Sequence, residues 1–164
     1  MTPQQLHAHK KAPKRLEQIP AFKSVKKGSL PPPFHRYNSK RLQSTGMLSV
    51  AEGYTAIFIW RDGQTLADRS FYGHLFLKLA HEQLMPIFEF HWHPSHKGFH
   101  CKLPCRTEQD YKNRMLPGAP ELAMSTDLGL DPGHAIDRNK LISIFCDACG
   151  IDLPDNDEKS LTLF

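Results

Sequence analysis

The chain has 164 residues, of which 40% are hydrophobic, and a formal net charge of +4 at pH 7. Domains commonly run to about 100–150 residues, so this length suits one domain and is too short for two of ordinary size. No apolar run approaches the roughly 20 residues of a membrane helix, and no apolar stretch follows the first positive charges, as it would in a secretory signal. We therefore expect a cytoplasmic protein with no membrane-embedded segment.

Basic residues are concentrated near the N-terminus. Residues 1–41 contain ten Lys or Arg and one acid, Glu17, whereas the remainder contains 11 basic and 16 acidic residues. Few apolar residues and several prolines accompany this charge, which predicts a disordered basic arm over residues 1–33 and a single domain over residues 34–164. Such an arm suits contacts with the phosphates of RNA or DNA, and the alternatives are a solubilising tail or an arm that binds an acidic protein or a membrane surface. The residues predicted to bind nucleic acid are Lys10, Lys11, Lys14, Arg15, Lys23, Lys26 and Lys27.

The first predicted strand after the arm covers residues 55–60. These residues are aromatic and β-branched, and they precede the turn signature Asp62-Gly63. Residues 71–79 alternate leucines with other side chains and predict a second strand, although residues 75–85 fit a short helix ended by a proline equally well. We favour the strand.

The remaining elements predict the fold class. A turn at 81–84 and strands at 87–92 and 99–103 complete an antiparallel sheet of four or five strands. Acids behind an N-cap threonine predict a short helix over residues 108–114. A longer helix is predicted over residues 137–150, with Gly150 at its C-terminal end. The expected architecture is therefore α+β, with one or two helices packed on the sheet.

The densest chemistry of the sequence lies between Glu89 and Cys105, which read E-F-H-W-H-P-S-H-K-G-F-H-C-K-L-P-C. This stretch contains four of the ten histidines and two of the four cysteines. Aromatic residues alternate with titratable ones before the Pro94 break. In an extended strand this alternation directs the aromatics to one face and the titratable groups to the other.

The turn-like residues 94–97 fix a register for the predicted hairpin. Closing the turn there sets His91 opposite His100 and Glu89 opposite Lys102, an oppositely charged pair. A one-residue slip would expose the aromatics, so their burial should hold this register. On the aromatic face the predicted pairs are Trp92 with Phe99, Phe90 with Cys101 and Phe88 with Leu103.

The histidine face predicts a metal site or an acid–base site. His91, His93 and His100 could converge on one ion, zinc or another divalent metal, with Glu89 in support. Without a metal, Glu89 and His91 could form an acid–base pair and Lys102 could stabilise an anion during phosphodiester cleavage. The alternative is an ordinary solvated sheet face in which the Glu89–Lys102 pair only stabilises the hairpin.

The cysteines form two closely spaced pairs. Cys101 and Cys105 are separated by three residues, and Cys146 and Cys149 by two, which is a spacing typical of structural zinc sites in reducing compartments. The alternative is buried thiols without a ligand. It is favoured because Cys101 falls on the aromatic face, while Cys146 and Cys149 fall inside an amphipathic helix.

Several common catalytic motifs are absent from the sequence. It contains no Gly-x-Gly-x-x-Gly, P-loop, Gly-x-Ser-x-Gly or His-Glu-x-x-His motif, which argues against nucleotide-cofactor and serine-hydrolase chemistry. The leading hypothesis is a small nucleic-acid-associated protein whose histidine face is a metal or acid–base site, a chemistry that would suit nucleolytic cleavage. The alternative is a non-enzymatic inhibitor or immunity-type factor that binds a protein partner.

Overall fold

The computed structural model describes residues 1–94, 99–102, 111–112 and 128–154. Within these ranges one antiparallel sheet of eight strands forms the body, and a two-stranded parallel sheet joins β1 to β10. The helices are α1 (Pro3–Lys11) and α2 (Ala135–Cys149). The strands are β1 (Lys14–Arg15), β2 (Lys23–Ser24), β3 (Leu42–Ser44), β4 (Leu48–Ala51), β5 (Tyr54–Arg61), β6 (Ser70–Lys78), β7 (Leu84–Trp92), β8 (Phe99–Lys102), β9 (Tyr111–Lys112) and β10 (Ile151–Asp152).

The strand order in the main sheet is β2-β3-β5-β6-β7-β8-β9, with β4 paired to the start of β5. The α+β class and the three strands β5, β6 and β7 are confirmed, and residues 71–78 of the second predicted strand lie in β6 rather than in a helix. The sheet has more strands than the four or five expected, because short strands such as β2 and β4 extend it. The short helix predicted at 108–114 is wrong at Tyr111–Lys112, which form β9, and its other residues lie outside the described ranges.

The predicted register of the β7–β8 hairpin is confirmed. The paired residues are Glu89 with Lys102, Phe90 with Cys101, His91 with His100 and Trp92 with Phe99. The proposed partner of Phe88, Leu103, lies outside the described residues. Phe90, Trp92 and Cys101 are buried, as the aromatic alternation requires.

One face of the sheet is covered by α2, as the longer predicted helix requires. The Phe145 ring lies 5.1 Å from that of Phe58 and 5.5 Å from that of Phe90, in the centre of the main core. The helix approaches so closely because β6 carries a glycine there: a Cβ on Gly73 would lie 2.6 Å from Phe145 Cδ2. Gly150 has φ of +63° and ends the helix, as predicted.

The opposite face of the sheet is covered by the segment before β3. Val25, Leu30 and Phe34 pack on Ile57 and neighbouring side chains in a second hydrophobic cluster. These apolar side chains lie over the part of the histidine face nearest β5 and β6, so that part of the face is buried.

The prediction of a disordered arm over residues 1–33 is not confirmed. Helix α1 begins at a capping box, in which Thr2 Oγ1 accepts from the Gln5 backbone N–H and Gln5 Oε1 accepts from that of Thr2. Leu6 and Leu16 are buried in the main core. The low average hydrophobicity of residues 1–33 led to the prediction of disorder, although single apolar residues in this segment are buried in the core.

Neither helix in the described part of the chain is long and apolar enough to cross a bilayer. Helix α1 has nine residues and α2 has 15, whereas a membrane span needs about 20. Helix α1 is also polar over most of its length, because Leu6 is its one buried residue.

Candidate functional site

Two imidazoles and a carboxylate meet on β6 and β7. His74 is the cross-strand partner of Glu89, and its Nδ1 lies 3.6 Å from Glu89 Oε2. His91 Nε2 lies 3.9 Å from the same oxygen, and the two histidine rings are 5.9 Å apart. We call these three residues the imidazole–carboxylate cluster. One carboxylate oxygen thus lies within 4 Å of both imidazoles.

A β-bulge in β7 brings the cluster together. Phe76 pairs with Pro86, but the preceding Leu75 pairs with Phe88, so that Ile87 is an extra residue on β7. Proline has no N–H for the ladder, which favours an irregularity at this point. Without the bulge Glu89 would lie opposite Gly73 of β6; with it, Glu89 faces His74.

The cluster is half-enclosed by aromatic rings. The Phe34 ring lies 4.9 Å from that of His74, and the Tyr72 ring lies 4.9 Å from that of His91 and 5.6 Å from that of His93. The His74 side chain is only 9% exposed, whereas those of Glu89 and His91 are 23% and 19% exposed. The cluster is therefore partly desolvated but open on the side of Glu89 and His91.

A cavity of about 710 Å³ opens beside His74 and Glu89. Aromatic rings and prolines line it, together with Glu82 and Gln83 from the turn before β7. Burial raises the pKa of the Tyr37 hydroxyl, and the nearby Tyr72 and Glu89 raise it further. The lining residues are Pro31, Pro32, Pro33, Phe34, Tyr37, His74, Phe76, Glu82, Gln83, Leu84, Pro86 and Glu89.

The residues predicted for the histidine face are only partly brought together. Glu89 and His91 belong to the cluster, and His93 lies next to it across the Tyr72 ring. Register pairs His100 with His91 and Lys102 with Glu89, but these two side chains lie outside the described part of the structure. Among the described residues no set of three His, Cys, Asp or Glu is arranged to hold a metal ion.

Sequence reasoning missed His74, Tyr72 and the covering residues Phe34 and Tyr37. The signal for the first two was present, since alternation along β6 puts Tyr72 and His74 on one face of the strand. Their meeting with β7 required the register of the β6–β7 pair, which the bulge shifts. Nothing local indicated that Phe34 and Tyr37 would border the site.

The basic residues predicted to bind nucleic acid lie on two different segments of the fold. Lys10, Lys11, Lys14 and Arg15 belong to α1 and β1, beside β10 and the end of α2. Lys14 is 2% exposed, and its Nζ donates hydrogen bonds to the backbone carbonyls of His9, Lys10 and Ala12. Burial lowers its pKa, with a smaller contribution from Lys10. Lys14 therefore stabilises the chain after α1 and does not offer its charge to a phosphate.

The other predicted basic residues lie on the segment that covers the histidine face. Lys23, Lys26 and Lys27 are exposed there. The same segment also carries exposed basic residues that were not predicted to bind nucleic acid: Arg36, Lys40 and Arg41. The sequence has no acid between Glu17 and Glu52, so the segment is uniformly basic. We call residues 23–41 the basic cover.

Three of the four cysteines lie in the core. Cys101, Cys146 and Cys149 are each at most 1% exposed, and Cys105 lies outside the described residues. Burial raises the pKa of Cys146 to about 12 with help from Asp147, and it raises the pKa of Cys149 well above its usual value. The Cys146 and Cys149 thiols are thus protonated near neutral pH, and with the burial of Cys101 this favours the buried-thiol interpretation.

The arrangement suits proton transfer. Imidazoles exchange protons near neutral pH, and a carboxylate within 4 Å orients them and balances the charge of a protonated ring. Two imidazoles around one carboxylate supply a proton acceptor and a proton donor within one site. Comparisons with protein-family models, with curated proteins and with solved structures find no match to this chain.

Proposed function

We propose that the protein binds RNA along the basic cover and cleaves it by acid–base catalysis at the imidazole–carboxylate cluster. The observation that carries this proposal is the position of Glu89 Oε2, 3.6 Å from one imidazole nitrogen and 3.9 Å from the other. RNA is favoured over DNA because its 2′-hydroxyl supplies the nucleophile, so that the protein has to move protons only.

The proposed reaction uses both imidazoles. One neutral imidazole takes the proton of the 2′-hydroxyl, whose oxygen then forms a bond to the adjacent phosphorus. The bond from phosphorus to the 5′-oxygen breaks, and the other imidazole, in its protonated form, gives its proton to that oxygen. The products are a 2′,3′-cyclic phosphate and a free 5′-hydroxyl. Glu89 stabilises the imidazolium that forms and holds the ring in place.

The basic cover supports RNA as the substrate. Its exposed Lys and Arg side chains neutralise backbone phosphates, and release of the condensed counterions favours binding at low salt. The cover also contains Phe34 and Tyr37, which border the cavity beside Glu89. An RNA strand bound along the cover therefore runs past the cluster.

The test is cleavage of a labelled RNA oligonucleotide by the full-length protein in the presence of EDTA, with the product ends identified by mass spectrometry. We expect cyclic-phosphate ends, a loss of about a hundredfold or more in rate for His91→Gln, and no change for His7→Gln on the exposed side of α1. Equal rates for wild type and His91→Gln would identify a contaminating nuclease. No cleavage and no RNA binding would favour the protein-binding alternative.

A metal-dependent version of the same activity is the second candidate. The confirmed pairing of His91 with His100 favours it, since a divalent ion such as Zn²⁺ bound by His91, His93 and His100 would activate a water molecule. In that case EDTA abolishes cleavage, added metal restores it, and His93→Gln is as damaging as His91→Gln. Acid–base cleavage predicts EDTA resistance and a smaller effect of His93→Gln.

A further inference from the structure

The cavity beside the cluster is poorly suited to a phosphate group. Its volume of about 710 Å³ lies within the range of roughly 300–1,000 Å³ that is typical of small-ligand sites. Two carboxylates, Glu82 and Glu89, line it, and among the described residues no Lys or Arg does. An anion would be repelled there, whereas a flat group with N–H donors would be attracted.

The walls of the cavity are flat and apolar. The rings of Phe34, Tyr37 and Phe76 line it together with the prolines of residues 31–33. Aromatic side chains stack well on nucleobases, and this stacking does not depend on the identity of the base. The apolar walls therefore favour binding of any base, and selectivity among the bases has to come from the polar groups of the cavity.

Glu82 is the carboxylate that lines this cavity without belonging to the imidazole–carboxylate cluster. Glu89 Oε2 already faces both imidazoles of the cluster. His81 and Glu82 both have left-handed backbone conformations, with φ of +58° and +59°, which non-glycine residues rarely adopt. Such conformations are concentrated at ligand-contacting positions. Here they form the turn that presents Glu82 and Gln83 at the cavity.

The chemistry of a carboxylate distinguishes among the bases. A carboxylate offers two acceptor oxygens side by side, and it binds best to two parallel N–H donors. Guanine presents adjacent N1–H and N2–H donors on its Watson–Crick edge, whereas adenine and cytosine place an acceptor nitrogen beside their amino group. We infer that the cavity binds a guanine base of the RNA substrate, with Glu82 accepting hydrogen bonds from N1–H and N2–H. This inference rests on the proposed function, because it assumes a nucleic-acid substrate.

The test is calorimetric titration of the full-length protein with guanosine, inosine and adenosine 5′-monophosphates. We expect affinities in that order, since inosine keeps N1–H but lacks the 2-amino group, and at least about a tenfold difference between the guanosine and adenosine nucleotides. Glu82→Gln should weaken binding of the guanosine nucleotide about tenfold, because it replaces one acceptor oxygen with a donor. Glu52→Gln, in an exposed turn before β5, is the control and should have no effect. Amide shifts at Gln83 and Tyr37 should locate the ligand.

Equal affinities for the three nucleotides, or no saturable binding up to millimolar concentrations, would overturn the inference. An unchanged affinity in Glu82→Gln would do the same. Mononucleotides contain no phosphodiester bond to cut, so their binding is measured independently of catalysis. RNA cleavage without base preference would overturn the guanine site alone, and guanine binding without cleavage would overturn the nuclease activity alone.

Discussion

His74 and Glu89 face each other across β6 and β7, with 3.6 Å between Nδ1 and Oε2, because Ile87 is an extra residue in β7. The same carboxylate reaches His91 two residues along its own strand. A bulge of one residue thus converts two ordinary strands into a site with three titratable groups.

Glu89→Gln should remove the charge balance of the cluster while keeping its shape. We expect the rate of RNA cleavage to fall by about 10²–10⁴-fold, because the glutamine amide cannot stabilise an imidazolium. The side chain is partly exposed, so the melting temperature should change little. Rates and melting curves of Glu89→Gln and Glu52→Gln should be compared. A rate unchanged in Glu89→Gln would exclude the carboxylate from catalysis.

The Lys26→Ala/Lys27→Ala double variant tests the basic cover. Each phosphate contact that is lost should reduce the slope of log affinity against log salt by about 0.7 for single-stranded RNA, or about 1.4 for the pair. Binding isotherms at several salt concentrations measure this slope. Lys140→Ala, an exposed position on α2, should leave it unchanged. Deleting residues 1–30 is not a usable test, because it removes Leu6 and Leu16 from the core.

Lys14→Met should destabilise the fold by about 2–3 kcal/mol, although the same substitution at an exposed lysine costs little. The ammonium group donates to three backbone carbonyls at the C-terminal end of α1, and hydrogen bonds of charged groups contribute more than neutral ones. Denaturant unfolding of Lys14→Met and of Lys11→Met, an exposed position on α1, measures the difference. Equal stability of the two variants would contradict a structural role for Lys14.

Gly73→Ala should destabilise the protein by about 1–3 kcal/mol through overpacking. The new Cβ would lie 2.6 Å from Phe145 Cδ2, and the ring is enclosed by core aromatics that leave it little room to move. Combining it with Phe145→Leu should cost less than the sum of the two single changes, because the leucine removes the clash. Strict additivity in denaturant unfolding would indicate that β6 and α2 are not in contact here.

The Cys146 thiol should make the fold less stable at alkaline pH. Its folded-state pKa of about 12 lies above the unfolded value of 9.0, so its contribution is complete below pH 9 and is lost as the pH rises toward 12. At pH 10.5 the loss amounts to about 2 kcal/mol. At pH 10.5 the free energy of unfolding of Cys146→Ala should have fallen by this amount less than that of the wild type, both with and without EDTA. A difference that appears only without chelator would point to zinc.

The local part of the fold followed from the sequence. Alternation of aromatic and titratable residues around a short turn set the β7–β8 register, since the paired residues are close in the chain and one slip would expose the aromatics. Apolar spacing and Gly150 likewise predicted α2. Glu89 and His91 were therefore correctly assigned to a common face before any tertiary contact was known.

Tertiary structure alone decided what surrounds that face. The bulge at Ile87 sets which residue of β6 lies opposite Glu89. The packing of β7 against both neighbouring strands determines where in β7 the bulge forms. Burial of Leu6, Leu16 and Phe34 depends on surfaces far away in the chain, whereas composition describes only the average of their segment. Sequence pattern thus determines which face of a strand a residue occupies, and long-range packing determines which residues share and cover that face.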